Sequence, residues 1–150
     1  MSPHSVYSFP LLKVEDILHF LKSVSITINV ADLKTPNASI VRRMLELFVE
    51  DIMGISKEEL QTPQFVGLEN LEYPELHEES IPELGFFRAV VKMMMACGVL
   101  DFSIVDLVDP EGKRFRKQLS ALINFTRFRN ERMGAFSEVN EETVCTCNYR

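Results

Sequence analysis

Residues 109–133, DPEGKRFRKQLSALINFTRFRNERM, differ in charge from the rest of the chain. The whole sequence has 16 lysines and arginines against 22 aspartates and glutamates, and a formal net charge of -6. Between Glu111 and Arg132 the charge balance reverses. This stretch has two acids, Glu111 and Glu131, and seven cations: Lys113, Arg114, Arg116, Lys117, Arg127, Arg129 and Arg132. Phenylalanines are interleaved with these cations. The segment is therefore the main clue to both the fold and the function.

A helical projection of this segment, at about 100° per residue, gives two apolar faces. The first is the face expected to pack in the core and contains Phe115, Leu119, Leu122, Ile123 and Thr126. The opposite side of the first turns is predicted to face water and contains Lys113, Arg114, Arg116 and Lys117. On that same side follows a second apolar stripe, Ala121, Phe125 and Phe128. A helix with two apolar faces is either enclosed by its own domain or meets a partner.

The basic cluster and the second stripe each allow two interpretations. A group of cations on a helix is often simply a solvated face. Cations near a helix N-terminus, however, cost about 0.3–1 kcal/mol each against the helix dipole, and that cost favours a use outside the fold. The second stripe is either core or a partner interface. Its neighbours Arg129 and Arg132 add the arginine that is typical of interface centres.

The rest of the chain has a helical hydrophobic period, which predicts an all-α domain of about five to seven helices. One helix should start near residues 36–39 and stop at Gly54 in the left-handed cap position. Two capping boxes, Ser56 with Glu59 and Ser80 with Glu83, are expected to open further helices. Asp109 and Pro110 are expected to open the basic helix. A short extended piece is predicted at residues 25–30, SITINV.

Few residues are suited to catalysis or to holding a metal or cofactor. The three histidines, His4, His19 and His77, are far apart, and the glycines form no phosphate-binding loop. Cys145 and Cys147 lack partner ligands, and an odd cysteine count argues against a disulfide framework. The N-terminus lacks a secretory signal, so we expect an intracellular, reducing compartment. We predict a binding protein without cofactor or metal, not an enzyme.

Three pieces of sequence, taken in order, resemble the Nuf2 family over roughly residues 7–140. They are Phe9-Pro10 opening the first helix, Asp101-Phe102 before a short helix, and the run Leu119, Asn124, Phe125, Phe128 and Arg129. Members are the smaller head-bearing subunits of a four-subunit kinetochore complex that grips microtubules. The resemblance implies a calponin-homology-like helical head, for which we expect residues 1–135. Residues 136–150 are expected to form a frayed tail, the truncated start of a coiled-coil segment.

The resemblance also implies the partners and the place of action. The head would pair with a larger calponin-homology subunit, the two remaining subunits would join through the coiled coil, and a spindle-checkpoint kinase would be a further partner. The localisation implied is the nucleus, at the centromere and kinetochore. The acidic tubulin tails would be met by Lys113, Arg114, Arg116, Lys117 and Lys34. The heterodimer interface would include Ala121, Phe125, Phe128, Arg129 and Arg132.

One other class of function stays open at this point. The basic helix could hold nucleic acid or an anionic membrane surface instead of tubulin. The net charge of -6 disfavours this alternative, because proteins that bind phosphates usually carry a basic balance. We therefore expect neither nucleic acid nor membrane as a partner.

Overall fold

The computed structural model describes residues 9–24, 26–61, 73 and 80–147. Within these ranges the chain forms seven α-helices and no strand, which confirms the all-α prediction and is consistent with a calponin-homology-like domain. The helices are α1 (Val14–Ser23), α2 (Val30–Lys34), α3 (Ala38–Met53), α4 (Lys57–Gln61), α5 (Ser80–Ala96), α6 (Val105–Val108) and α7 (Gly112–Cys147).

The first half of α7 packs in the middle of the domain. It contacts α1 and α2, while α3 packs against α5 and α6. The predicted core face of α7 is confirmed, since Phe115, Leu119, Leu122, Ile123 and Thr126 are all buried. Each large apolar side chain removed from water in this way contributes about 1.5–3 kcal/mol before the entropy of ordering is subtracted. The core therefore assembles around α7.

Several helix ends lie where the sequence predicts them. The Asn37 side chain accepts a hydrogen bond from the Ser39 N–H at the start of α3, and Gly54 ends that helix with a φ of 67°. Ser56 and Glu59 form the predicted capping box of α4, with bonds of 2.9 and 3.2 Å. These are local devices in which a side chain or a glycine satisfies the free backbone groups of a helix end.

The extended piece predicted at SITINV is confirmed at Asn29, whose backbone is extended, but its described residues belong to no sheet. Residues 26–29 form no strand, and Val30 is the first residue of α2. The Asn29 N–H donates to the Asp32 carboxylate at 2.8 Å, which closes a capping box, and Leu33 is buried. With five residues, α2 is too short to show a hydrophobic period in the sequence.

The start of α7 also differs from the prediction. Asp109 ends α6 instead of opening the long helix, and α7 begins three residues later at Gly112. The backbone then stays helical to Cys147. The division of the chain into a head and a tail stays a prediction. The side chains of Cys145 and Cys147, and all of His4 and His77, lie outside the described residues.

Gly112 is the point at which α2 and α7 touch. A Cβ atom there would lie 2.3 Å from the carbonyl oxygen of Lys34 and 2.9 Å from that of Leu33. Real Cβ atoms do not approach backbone atoms so closely, so only glycine lets the end of α2 meet the start of α7. This contact places Lys34 next to Lys113.

Replacing Gly112 by alanine should lower the free energy of unfolding by about 1–3 kcal/mol, because the two backbones must separate. Gly134→Ala is the matched control in the same helix, since nothing lies within 4 Å of its added Cβ. That control should be neutral or stabilise by up to about 1 kcal/mol through helix propensity. Urea unfolding of both variants checks this. Equal effects of the two substitutions would contradict the close contact.

Candidate functional site

Arg114 is held by two aspartates of the segment that leads into α7. Its guanidinium bonds both oxygens of the Asp106 carboxylate, at 2.7 and 2.9 Å. It also donates to the carboxylate and the backbone carbonyl of Asp101, at 3.1 and 2.7 Å. Asp106 is only 4% exposed and accepts a further bond from the Ser103 N–H. Arg114 thus ties α6 and the preceding turn to the first turn of α7.

The two aspartates respond to this environment in the same direction. Burial acts to raise the pKa of Asp106, but the hydrogen bonds from Arg114 and Ser103, the Arg114 charge and a hydrogen bond from Gln118 outweigh it and lower the pKa. Burial likewise opposes the shift at Asp101, where the charges of Lys117 and Arg114 lower the pKa. Both carboxylates are therefore ionised at neutral pH, and the pKa of Arg114 is raised in turn.

Arg116 also serves the fold. Its guanidinium donates two hydrogen bonds, of 3.0 and 2.7 Å, to the backbone carbonyl of Leu12. One helical turn on, Ser120 accepts a bond from the Leu12 N–H at 3.1 Å, and Asn124 donates to the Pro10 carbonyl at 3.0 Å. This ridge of α7, at i, i+4 and i+8, holds the backbone that precedes α1. The sequence signal for this ridge is the i, i+4, i+8 spacing of these three polar residues, but that spacing does not show which segment they bind.

The prediction that all four cations face water is therefore wrong for Arg114 and Arg116, which are half-buried in contacts within the fold. The dipole cost at the start of α7 is offset inside the domain by the aspartates around Arg114. Lys113 is exposed and has no ion pair in the described part of the chain, and the same holds for Lys34. Lys117 is exposed but lies 3.5 Å from the Asp101 carboxylate.

The second apolar stripe changes character along its length. Ala121 is 7% exposed and belongs to the core, and Phe125 is half-buried against it. Phe128 is 48% exposed. Of its two basic neighbours, Arg129 bonds the carboxylate of Asp51 at 2.9 and 3.0 Å and also the Asp51 carbonyl near the end of α3. Arg132 lies over the Phe128 ring at 5.3 Å. Of the five predicted interface residues, only Phe128 and Arg132 are thus exposed to solvent.

An apolar groove lies beside Phe128. It has a volume of about 480 Å³. Its lining comes from the segment before α1, the end of α5 and the middle of α7: Phe9, Met95, Ala96, Cys97, Gly98, Leu100, Phe125 and Phe128. Met95 and Leu100 are exposed large hydrophobic residues. The sequence pattern did not reveal this groove, because its residues come from three separated segments.

The described residues offer little for catalysis. Burial raises the pKa of the Cys97 thiol to about 12, so the nucleophilic thiolate is scarce at neutral pH. His19 is exposed, as expected for a surface histidine. Across the described ranges, no three metal-binding side chains come together. Nor does any helix there combine the length and apolarity needed to cross a bilayer.

These features define an all-α domain with exposed lysines at the start of α7 and an apolar groove beside its middle. In a comparison with known families, the model of the Nuf2 family matches residues 5–148. The chain belongs to the Nuf2 family. Its relatives are kinetochore proteins and not enzymes, which confirms the prediction that the chain is no enzyme.

Relatives come from several fungi. The chain is 32% identical over 135 residues to the probable kinetochore protein nuf2 of Aspergillus fumigatus, covering 88% of this chain and 29% of that protein. It is 31% identical over 134 residues to the one of Gibberella zeae, covering 87% and 29%. The kinetochore protein nuf2 of Schizosaccharomyces pombe is 29% identical over 132 residues, covering 88% and 30%. The chain spans about 30% of the length of these curated relatives.

The lowered pKa of Asp106 predicts a specific loss of stability in acid. Because the folded-state pKa lies below the unfolded value of about 3.9, this stabilisation is complete above that value and is lost as pH falls through the folded pKa. Asp106→Asn should lower the free energy of unfolding by about 2–3 kcal/mol at pH 7 and flatten its fall below about pH 4. Urea unfolding between pH 7 and pH 3 measures both. The same acid slope in variant and parent would contradict this assignment.

Proposed function

We propose that this chain is the head of a non-catalytic kinetochore subunit that helps attach chromosomes to spindle microtubules. Its family membership supports a kinetochore role in chromosome segregation and a place at the centromere within the nucleus. In this proposal the head presents lysines to tubulin and pairs with a larger calponin-homology subunit. The two remaining subunits of the complex join through a coiled coil beyond the head, and a spindle-checkpoint kinase is a further partner.

The observation that carries the microtubule contact is the exposed lysine group Lys34, Lys113 and Lys117. The contact at Gly112 brings Lys34 to the start of α7, where Lys113 follows directly and Lys117 lies one turn further on. Lysines on flexible stems suit the acidic tubulin tails, because such a contact needs charge more than a fixed geometry. Arg114 and Arg116 support this surface from within the fold. The attraction acts over about 10 Å at 0.1 M salt.

The partner contact is supported by the groove and by Phe128 at its edge. An exposed aromatic ring with an arginine over it, beside an apolar cleft, has the composition of an interface centre. In this proposal Phe125 and Phe128 meet the larger head, Arg132 lies at the rim, and Ala121 and Arg129 position the helix from the core side. The length of α7 beyond this point would carry the pairing toward the coiled coil.

Lys34→Ala combined with Lys113→Ala should weaken binding to polymerised microtubules by about three- to tenfold, because two exposed charge contacts are lost. Co-sedimentation across a salt series, for the chain alone and with its partner head, measures the change. Arg88→Ala with Lys92→Ala is the matched control. It removes two exposed cations from α5, which packs with α3 and α4 instead of α2.

Both double variants should keep the parent's free energy of unfolding, since none of the four side chains has an ion pair in the described part of the chain. Equal loss of binding by the two pairs would mean that net charge alone matters, and the lysine group would not be the contact. Competition by duplex DNA or anionic vesicles, but not by tubulin-tail peptides, would support the alternative class of binding.

Phe128→Ala should weaken the complex with the larger head by about tenfold or more, because a ring at an interface centre is lost. Val108→Ala is the control, an exposed apolar residue on α6 that is outside the groove. Calorimetric titration of the two heads measures both affinities. Unchanged affinity for Phe128→Ala would remove the groove from the proposed interface.

A further inference from the structure

Asp101 is the exposed acid that faces the proposed lysine surface. Its carboxylate lies 3.1 Å from Nη1 of Arg114 and 3.5 Å from Nζ of Lys117. The side chains of Asp101 and Lys117 are 51% and 59% exposed, so both remain accessible to a partner. One carboxylate therefore contacts two of the cations for which the family resemblance implies a tubulin contact.

The two cations depend on Asp101 to different degrees. Arg114 keeps both Asp106 oxygens and the Asp101 backbone carbonyl even without the Asp101 carboxylate. Lys117 has no other acid within salt-bridge distance in the described ranges. Removing the Asp101 charge should thus leave Arg114 anchored and the turn before α6 in place. The affected residue is Lys117.

We infer that Asp101 is an intramolecular competitor that masks Lys117 and so weakens binding to anionic tails. The inference rests on the proposed microtubule contact. A glutamate of a tubulin tail offers Lys117 the same carboxylate chemistry that Asp101 already supplies. The tail must therefore displace an existing ion pair before it gains one, and Lys117 contributes less than Lys34 or Lys113. Because of Asp101, the affinity of the lysine surface for anionic tails is lower than the positive charge of the three lysines alone would give.

Asp101→Asn tests this because it keeps the shape and removes the charge. Binding to polymerised microtubules should become about 1.5- to fivefold tighter, the range that an exposed ion pair represents. Glu131→Gln is the matched control, since it makes the same change in net charge on the exposed surface of α7. It lies 14 residues, or about 21 Å, beyond Lys117 along the helix, and it should leave binding unchanged.

A double-variant cycle assigns the gain to Lys117. In a Lys117→Ala background, Asp101→Asn should bring no gain beyond that of Glu131→Gln. Microtubules whose acidic tails have been removed by proteolysis should likewise show no gain. The free energy of unfolding is measured for every variant, and Asp101→Asn should keep a value close to the parent's because Arg114 retains its bonds to Asp106 and to the Asp101 carbonyl.

The possible results distinguish a failure of the masking by Asp101 from a failure of the proposed microtubule contact. Parent binding that is sensitive to salt and to Lys34→Ala with Lys113→Ala, but unchanged by Asp101→Asn, would overturn the masking alone. A gain that persists in the Lys117→Ala background would show repulsion by the Asp101 charge instead and would also overturn it. Parent protein that does not bind microtubules, alone or with its partner, would overturn the proposed function itself.

Discussion

The bidentate contact of Arg114 with Asp106 is the interaction on which the start of α7 depends. A carboxylate that is 4% exposed would be costly without a cation and several donors, and Arg114 and Ser103 supply them. The pair also fixes the direction of the first turn of α7. Since Lys113 and Lys117 lie on that turn and the next, a contact made inside the domain decides where the exposed lysines point.

The long helix serves different needs along its length. Its first turns bury an apolar face in the core and use Arg114 to hold α6. The next turns present a polar ridge that satisfies the backbone of residues 10–12. Near its middle, Arg129 contacts the end of α3, and Phe128 stands at the edge of the groove. The basic character of the segment is thus partly structural, and the charge left for a partner is smaller than the composition suggests.

Features set by near neighbours in the chain could be predicted from the sequence. The core face of α7, the Gly54 cap and the capping box at Ser56 follow from periodicity and from side chains that bond backbone groups three residues away. Features set by distant neighbours could not. Nothing near Arg116 in the sequence shows that its partner is the carbonyl of Leu12, more than 100 residues earlier.

The same limit explains why only part of the predicted cationic surface is accessible. A helical projection places Lys113, Arg114, Arg116 and Lys117 together, because it takes into account only the angle of each residue around the axis of one helix. Which of them are free depends on the acids and carbonyls that other segments bring to that side. Lys34 joins the lysine surface for a comparable reason, since a glycine at position 112 lets α2 approach.

The central claim is that the cations of this surface divide into a structural set and a binding set. The most direct test measures both the free energy of unfolding and the microtubule affinity for single alanine variants of Lys34, Lys113, Arg114, Arg116 and Lys117. We predict two separate groups: the arginine variants lose stability, and the lysine variants lose affinity while the fold is retained. Two results would contradict the account. In the first, affinity falls only in variants that also lose stability; in the second, all five variants keep the parent's stability.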